Sequence, residues 1–164
     1  MAIFKEYTNY DGLGIAELIR NKEISPIDPL DSAIDLIEKL NPKLNAVHRT
    51  MYHYAFESIN RNKELNGTFI GVPFLMKDMD SSLANYHMMQ GSKYLKNTKM
   101  PYDNHLTRQF RETGAVICGK SATPEYGSWL QLSQLNLAQQ EILGIPIEQQ
   151  VAQVVVQLQL FQVA

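Results

Sequence analysis

Hydrophobic positions in the first half of the chain recur at helical spacing in three segments. Between Asp11 and Arg20 the apolar residues fall on one face of a helix. A second helix is predicted after Ser25-Pro26, a pair typical of an N-cap followed by proline in the first turn, and Asn41-Pro42 is expected to end it. A third helix is predicted from about Met51 to Leu65, closed by Asn66-Gly67.

Two short apolar runs with a helix between them follow. The run from Phe69 to Met76 predicts a strand, in which Pro73 requires an edge position or a bulge. Asp103 is expected to cap the helix, and residues 115–118 predict a short buried strand. Before the helix, residues 80–103 have no clear period and indicate a loop. A strand, a crossover helix and a second strand form a βαβ unit, which favours an α/β fold class.

Composition narrows the class of protein. The chain has 164 residues, enough for one domain with a hydrophobic core, and a net charge of −2 with both signs interspersed. No basic surface argues for a nucleic acid or an anionic membrane as partner. The start lacks the apolar core of a signal peptide, and no apolar run reaches membrane-spanning length. Cys118 is the single cysteine, so a cytoplasmic protein without internal disulfides is expected.

The pattern changes abruptly near Ser128. Lysine, arginine and aspartate are absent after Lys120, and from Trp129 onward the only charged residues are Glu141 and Glu148. Ten of the last 36 residues are glutamine, and valine, leucine, isoleucine and alanine account for most of the others. We therefore divide the chain into residues 1–128 and an anomalous glutamine/valine/leucine-rich tail, residues 129–164, whose low charge and β-prone valines favour aggregation. One further strand is the simpler interpretation of that tail.

The segment with the clearest chemistry is Gly71 to Asp78, Gly-Val-Pro-Phe-Leu-Met-Lys-Asp. It is an apolar, strand-like run that ends in Lys77, so the strand can hold the ammonium group at a fixed point of a cleft. By itself, a lysine at a strand end is usually a solvated surface residue. Its surroundings in sequence decide how it is interpreted.

This octapeptide resembles the lysine motif of the amidase signature family, which are serine hydrolases of amide bonds. Segments resembling other parts of that family precede and follow it in the expected order. They are Glu23-Ile24-Ser25, residues 41–47, Gly91-Ser92 and residues 114–127, which read Gly-Ala-Val-Ile-Cys-Gly-Lys-Ser-Ala-Thr-Pro-Glu-Tyr-Gly. The resemblance covers about residues 8–128, and the wording of the lysine segment leans toward the branch that includes enzymes acting on cyclic amide dimers.

The resemblance implies an α/β amidase fold of which this chain carries the N-terminal part, a mixed β-sheet flanked by helices. It implies a Ser–cis-Ser–Lys triad in which Lys77 is the catalytic lysine, relaying a proton through one serine to the nucleophilic serine. A lysine surrounded by apolar groups loses basicity and can act as such a base. Asp78 matches the motif without an assigned role. A small-molecule amide is the implied substrate of a complete enzyme, with no metal and no organic cofactor.

Other residues are interpreted as structural. The histidines show no metal-like spacing and are each expected at the surface or in a loop: His48, His53, His87 and His105. Ser81-Ser82 lacks the glycine-rich frame of an oxyanion site and is expected in a loop. Cys118 is expected to be buried and inert, and Lys120 to be a conventional strand-end lysine.

Past Ser128 the family's Arg-Asn-Pro-Trp-Asn and Gly-Gly-Ser-Ser-Gly-Gly segments are absent, and with them both catalytic serines. They are recoverable from a displaced reading frame, in which each codon takes the third base of one residue and the first two of the next. Residues 140–145 can then encode Arg-Asn-Pro-Trp-Asn, and residues 150–156 permit Gly-Gly-Ser-Ser-Gly-Gly. We therefore hypothesise that residues 129–164 are an out-of-frame translation after a single-base insertion or deletion near Ser128.

Three hypotheses follow for the chain. The first is the N-terminal part of an amidase-family hydrolase of carbon–nitrogen bonds, inactive alone because it lacks the serines. The alternative is a non-catalytic fragment or binding module that retains part of the amidase fold. The third is a translation product that folds poorly because strand edges and apolar faces are left uncovered.

Overall fold

The computed structural model describes residue 4 and residues 6–61 and 66–127. Within these residues the chain forms four α-helices and three β-strands. The helices are α1 (Gly12–Arg20), α2 (Ile27–Leu44), α3 (Tyr52–Arg61) and α4 (His105–Glu112), and the strands are β1 (Val47–Thr50), β2 (Pro73–Lys77) and β3 (Val116–Ser121). Ser128 and the tail, on which the frame hypothesis depends, lie outside the described residues.

The strands form one mixed sheet in the order β1-β3-β2. Strand β3 runs parallel to β2, with α4 in the crossover, so the predicted βαβ unit is confirmed. Strand β1 pairs antiparallel with β3. All six residues of β3 are buried, as expected of a central strand with a neighbour on each side.

Both faces of the sheet are covered. On one face α2 and α3 pack against it through Leu30, Ile37 and Ala55, which meet Val116 and Cys118 of β3. On the other face Met76 and Ile117 form a cluster with Met51 and Leu83, against which Phe110 of α4 packs. Helix α1 packs separately, with Ile15 and Ile19 against Val72 just before β2. The expected α/β layering is thus present, with the core on both sides of β3.

The helix predicted between Asp11 and Arg20 is confirmed as α1. Asp11 is its N-cap and accepts a hydrogen bond from the amide of Gly14 at 2.6 Å. The predicted stop at Asn41-Pro42 is wrong, because α2 continues to Leu44 and ends at Asn45 in the left-handed conformation. The Asn41 side chain instead exchanges two 2.8 Å hydrogen bonds with the backbone of Val47, which fixes the start of β1. Helix α3 is present to Arg61, and residues 62–65 of its predicted end lie outside the described residues.

Two predictions for the second half of the chain are wrong, the start of β2 and the N-cap of α4. Strand β2 begins at Pro73 rather than Phe69, because the chain turns at Gly71, whose φ is +71°. Proline as first residue of an edge strand leaves no ladder hydrogen bond unmade. The N-cap of α4 is Asn104 rather than Asp103, since the Asn104 side chain accepts from the amide of Thr107. Asp103 bonds the amide of Ala84 and pairs with Arg111 instead.

Candidate functional site

Lys77 lies at the carboxyl end of β2, opposite Ser121 in the register of the parallel pair. Because β2 and β3 are parallel, both strands end at the same edge of the sheet. The Lys77 side chain is exposed there, although Met76 before it and Asp78 after it are buried. Within the part of the chain that the structure describes, its ammonium group has no hydrogen bond or ion pair. Strand β2 therefore ends in an exposed lysine side chain that has no bonding partner among the described residues.

The backbone around Lys77 is fixed even though its side chain is free. The hydroxyl of Ser81 donates to the carbonyl oxygen of Lys77 at 2.6 Å. The next amide, that of Asp78, donates to the carbonyl oxygen of Ser121 at 3.4 Å. Ser81 lies in the predicted loop, and its oxygen is used to hold the chain immediately after the strand.

Asp78 is the best-connected residue at this edge. Its side chain is 1% exposed, and its Oδ1 accepts a hydrogen bond from the Nζ of Lys120 at 3.3 Å. Its Oδ2 accepts from the amide of Met89 at 3.0 Å and lies 3.1 Å from the Nε2 of His48. The carboxylate thus meets β1, β3 and the segment after β2 at one point.

Lys120 is not the conventional strand-end lysine expected from the sequence. Its side chain is 0% exposed, and its Nζ makes a second hydrogen bond of 2.8 Å to the carbonyl oxygen of His87. Burial lowers the pKa of Lys120, and the negative charge of Asp78 opposes that shift. The expectation failed because Lys120 lies inside the central strand β3, where the flanking strand and the loop after β2 enclose it.

His48 also departs from expectation, because it is neither a loop nor a surface residue. It lies in β1 with its side chain 10% exposed. The register of β1 against β3 shifts between Val47 and Arg49, so His48 is the extra residue, and such an irregularity re-aims a side chain. Burial lowers the pKa of His48, Asp78 opposes the shift, and the cations Arg49 and Lys120 add to it.

The remaining histidines and Cys118 lie where the sequence predicts them, at the surface or in a loop and in the core respectively. His53 and His105 are exposed, and His87 lies in the loop after β2. Cys118 is buried, as expected, and burial raises the pKa of its thiol to about 12, which disfavours the reactive thiolate. Within the described ranges no group of histidine, cysteine, aspartate or glutamate side chains could hold a metal ion.

Two loops meet beside this edge in an unusual backbone conformation. Gln90 and Tyr126 have φ values of 51° and 50°, in the left-handed region that such residues rarely adopt. The amide of Tyr126 donates to the carbonyl oxygen of Gln90 at 2.8 Å, so the two residues support one another. Residues held in sparsely populated conformations concentrate at functional sites.

In residues 6–61 and 66–127, no helix is both long and apolar enough to cross a membrane.

A family model described as Amidase matches residues 28–139 of this chain. The match includes Lys77, Asp78 and Lys120, and it extends past Ser128 into the glutamine-rich segment.

Relatives of known function agree with it. A 6-aminohexanoate-cyclic-dimer hydrolase of Paenarthrobacter ureafaciens is 34% identical over 125 residues, which are 72% of this chain and 24% of the relative. A lipoamidase of Enterococcus faecalis is 25% identical over 138 residues, 83% of this chain and 19% of the relative. The chain therefore spans about a quarter or less of the length of these curated relatives.

Solved structures match the fold. The structure of a 6-aminohexanoate cyclic dimer hydrolase complexed with substrate superposes with a TM-score of 0.66 at 29% identity, covering 73% of this chain and 24% of that one. The native peptide amidase of Stenotrophomonas maltophilia gives 0.66 at 25% identity, covering 75% and 26%. The mixed α/β fold is thus an incomplete portion of the fold of these enzymes. On the extent of the family match, this chain belongs to the amidase family.

Proposed function

We propose that this chain is the N-terminal part of a hydrolase that cleaves carbon–nitrogen amide bonds, with Lys77 as its catalytic base. The observation that carries the proposal is the position of Lys77 within the family match. A fixed backbone presents the Lys77 side chain, which has no bonding partner among the described residues, at the end where two parallel strands finish.

The proposed chemistry needs a neutral amine. Lys77 would accept a proton from a bridging serine as that serine takes the proton of the nucleophilic serine, which attacks the amide carbonyl. The amine product would leave with a proton, and water would then hydrolyse the acyl-enzyme. Lysine acts as a base when its surroundings disfavour the ammonium ion. The described residues leave Lys77 open, so the groups that cover it must come from other parts of a complete enzyme.

We further propose that residues 129–164 are translated out of frame, and that this chain alone does not hydrolyse amides. The support is the loss of charge after Ser128 and the two family segments recoverable from the displaced frame. Since the family match runs to Gln139, the nucleotides to read span codons 128–139 and the few hundred bases after them. A gene in which no displaced frame continues the glycine/serine loop would refute the frame proposal.

Activity tests the catalytic proposal. The protein translated in the displaced frame should hydrolyse a cyclic amide such as the 6-aminohexanoate cyclic dimer, and Lys77→Met should lower kcat by about 10²- to 10⁴-fold, the usual contribution of a general base. Lys96→Met, which removes another exposed lysine, is the matched control and should retain activity. Equal activity of the Lys77→Met and Lys96→Met variants would refute the role of Lys77.

The 164-residue chain itself should show no amide hydrolysis and no labelling by a serine-directed fluorophosphonate. Removing members of a catalytic triad leaves at most residual rates, which supports this expectation. Stoichiometric labelling would show a reactive serine that the proposal does not contain. A specific ligand bound by a folded, inactive monomer would instead favour the non-catalytic alternative.

A further inference from the structure

We propose that Asp78 is a positioning residue for Lys77, and that its buried pair with Lys120 clamps the end of β2 and the following loop into one arrangement. This inference rests on the proposed role of Lys77 as the base. It concerns the residue that follows the base in sequence and whose side chain points into the protein rather than out of it.

The first step is the convergence of contacts on Asp78. Its side chain binds Lys120 of β3 and the amide of Met89, and approaches His48 of β1. Its backbone carbonyl oxygen also accepts from the amide of Gln90 at 3.1 Å. One residue therefore joins both other strands to the returning end of the loop.

The second step is the location of Asp78 directly after Lys77. Rotation of the Lys77 backbone would have to break the Ser81 bond on its carbonyl and move the Asp78 carboxylate away from Lys120. The backbone of Lys77 is thus held in place by Ser81 and by the contacts of Asp78. Only the Lys77 side chain remains free to move. Placing a reacting group within a fraction of an ångström depends on this kind of support.

The third step distinguishes Lys120 from a second base. Its Nζ is enclosed, with hydrogen bonds to the Asp78 carboxylate and the His87 carbonyl, and its side chain has no exposed surface. A substrate at the open edge could not reach it. The free energy needed to remove two charges from water offsets much of their mutual attraction, so a buried ion pair adds little stability. Such a pair is better explained by the unique geometry that it imposes.

The first experiment uses the unaltered 164-residue chain and no variant. Acylation of its lysines, followed in time by mass spectrometry, should modify Lys77 and the exposed Lys39 at comparable rates. Lys120 should react about 100-fold more slowly or less, because an enclosed amine reacts only when the structure opens locally. Reaction of Lys120 at the rate of Lys77 would overturn the clamp.

The second experiment compares two ion pairs of the same residue types. Asp78→Asn leaves the Lys120 cation buried and unpaired and should lower the folding equilibrium constant by about 100-fold or more. The matched control is Asp35→Asn in the exposed pair of Lys39 and Asp35, where the nitrogen and oxygen are 2.6 Å apart; it should change that constant by less than about five-fold. Equal effects of the two variants would overturn the proposal.

The double variant Asp78→Asn/Lys120→Met separates positioning from stability, because it leaves neither buried charge unpaired. It should recover most of the folding equilibrium, while hydrogen exchange at the amides of Met89 and Gln90 remains about ten-fold faster than in the unaltered chain. Unaltered exchange at these amides would show that Asp78 does not hold the loop, and would overturn the inference.

In the enzyme read in the displaced frame, the same double variant should lower kcat about ten-fold or more with KM nearly unchanged, since it misplaces the base without touching substrate. An unchanged kcat would refute positioning. If the unaltered enzyme is itself inactive, the proposed function fails, and so does a role in catalysis for the clamp. The labelling and exchange experiments still report on the clamp itself, so the two failures are distinguishable.

Discussion

At the scale of residues, the two lysines at the end of the parallel pair have opposite environments. Lys77 is exposed with a fixed backbone, and Lys120 is enclosed and paired with Asp78. In sequence each lysine lies at the end of a short, largely apolar run, and neither run indicates whether its lysine side chain is buried. The difference arises because neighbouring residues of a strand point to opposite faces of the sheet. Lys120 lies opposite Met76 in the register and shares its buried face, whereas Lys77, the next residue after Met76, points to the other face. Lys120 is thus enclosed by the protein, whereas the side chain of Lys77 is accessible at the end of its strand.

His48 gives a prediction for pH dependence. Burial holds its pKa in the folded chain below the ordinary value of 6.5, so the unfolded chain binds more protons in the interval between the two pKa values. The stabilisation associated with neutral His48 is therefore present above pH 6.5 and is lost as the pH falls toward the folded pKa. We expect the free energy of unfolding to decrease on acidification below pH 6.5, and His48→Gln to make that decrease shallower.

Urea denaturation at a series of pH values measures this effect. His105→Gln, at an exposed histidine, is the control and should leave the pH dependence nearly as it is. A stability that does not change, or rises, on acidification through this interval would contradict the environment assigned to His48.

At the scale of elements, β3 is the strand on which the site depends, and it is irregular on both sides. Against β1 the register shifts at His48, and against β2 it shifts between Phe74 and Leu75, which face Ile117 and Gly119. These shifts let His48 and Lys120 both approach Asp78 from neighbouring strands. A bulge of this type is common beside active sites because it redirects one side chain without ending the sheet.

Gly119 lies at this irregularity and should resist substitution. A β-carbon there would lie 2.9 Å from the carbonyl oxygen of Arg49 and 3.0 Å from the Leu75 side chain. Because the first contact is with the backbone of a paired strand, Gly119→Ala must displace β1, and we expect it to cost roughly 1–3 kcal/mol of stability. Thermal or urea unfolding measures the change.

The matched control is Gly14→Ala in α1. A β-carbon there would meet only side-chain atoms, of Tyr10 at 3.1 Å and of Asp11 at 3.2 Å. The Tyr10 ring can turn away, and Asp11 needs to yield only a few tenths of an ångström and so can keep its capping bond to the amide of residue 14. Alanine also favours a helix over glycine, so this variant should lose less stability than Gly119→Ala. The opposite order would show that β1 and β3 are not packed as described.

At the scale of the whole molecule, the described residues form a sheet with two open edges. Strands β1 and β2 each pair with β3 on one side, and in residues 6–61 and 66–127 neither has a second neighbouring strand. The chain spans about a quarter of the length of the matching 6-aminohexanoate-cyclic-dimer hydrolase. Open edges expose unpaired amide and carbonyl groups to other chains.

We therefore expect the isolated chain to self-associate on expression, with a contribution from the low-charge valines at positions 154–156. Val155→Lys adds a charge to that segment and should increase the soluble fraction, whereas Val155→Ile should not. Sedimentation over a range of concentrations is the measurement. A monodisperse monomer at all concentrations would contradict the expectation and favour an independently folded fragment.

The sequence by itself determined the helices, the βαβ unit and the lysine motif, because each depends on spacing within a short segment. The pattern from Asp11 to Arg20 suffices to predict α1. The lysine motif from Gly71 to Asp78, together with the order and spacing of the segments around it, indicates the family and makes Lys77 the candidate base. Two predictions from local sequence were wrong, the cap of α4 and the end of α2. In both cases the polar side chain, that of Asp103 or Asn41, forms hydrogen bonds with residues outside its helix.

Only the tertiary structure decided which charged residues are buried and what they touch. Strand β1 is four residues long, with the polar residues His48, Arg49 and Thr50, and its pairing with β3 depends on residues about 70 positions away, too far for any periodicity to indicate. The same non-local pairing encloses Lys120 and brings it to Asp78. Burial is a property of the assembled layers, so the sequence could indicate the exposed lysine through its motif but not the buried pair beneath it.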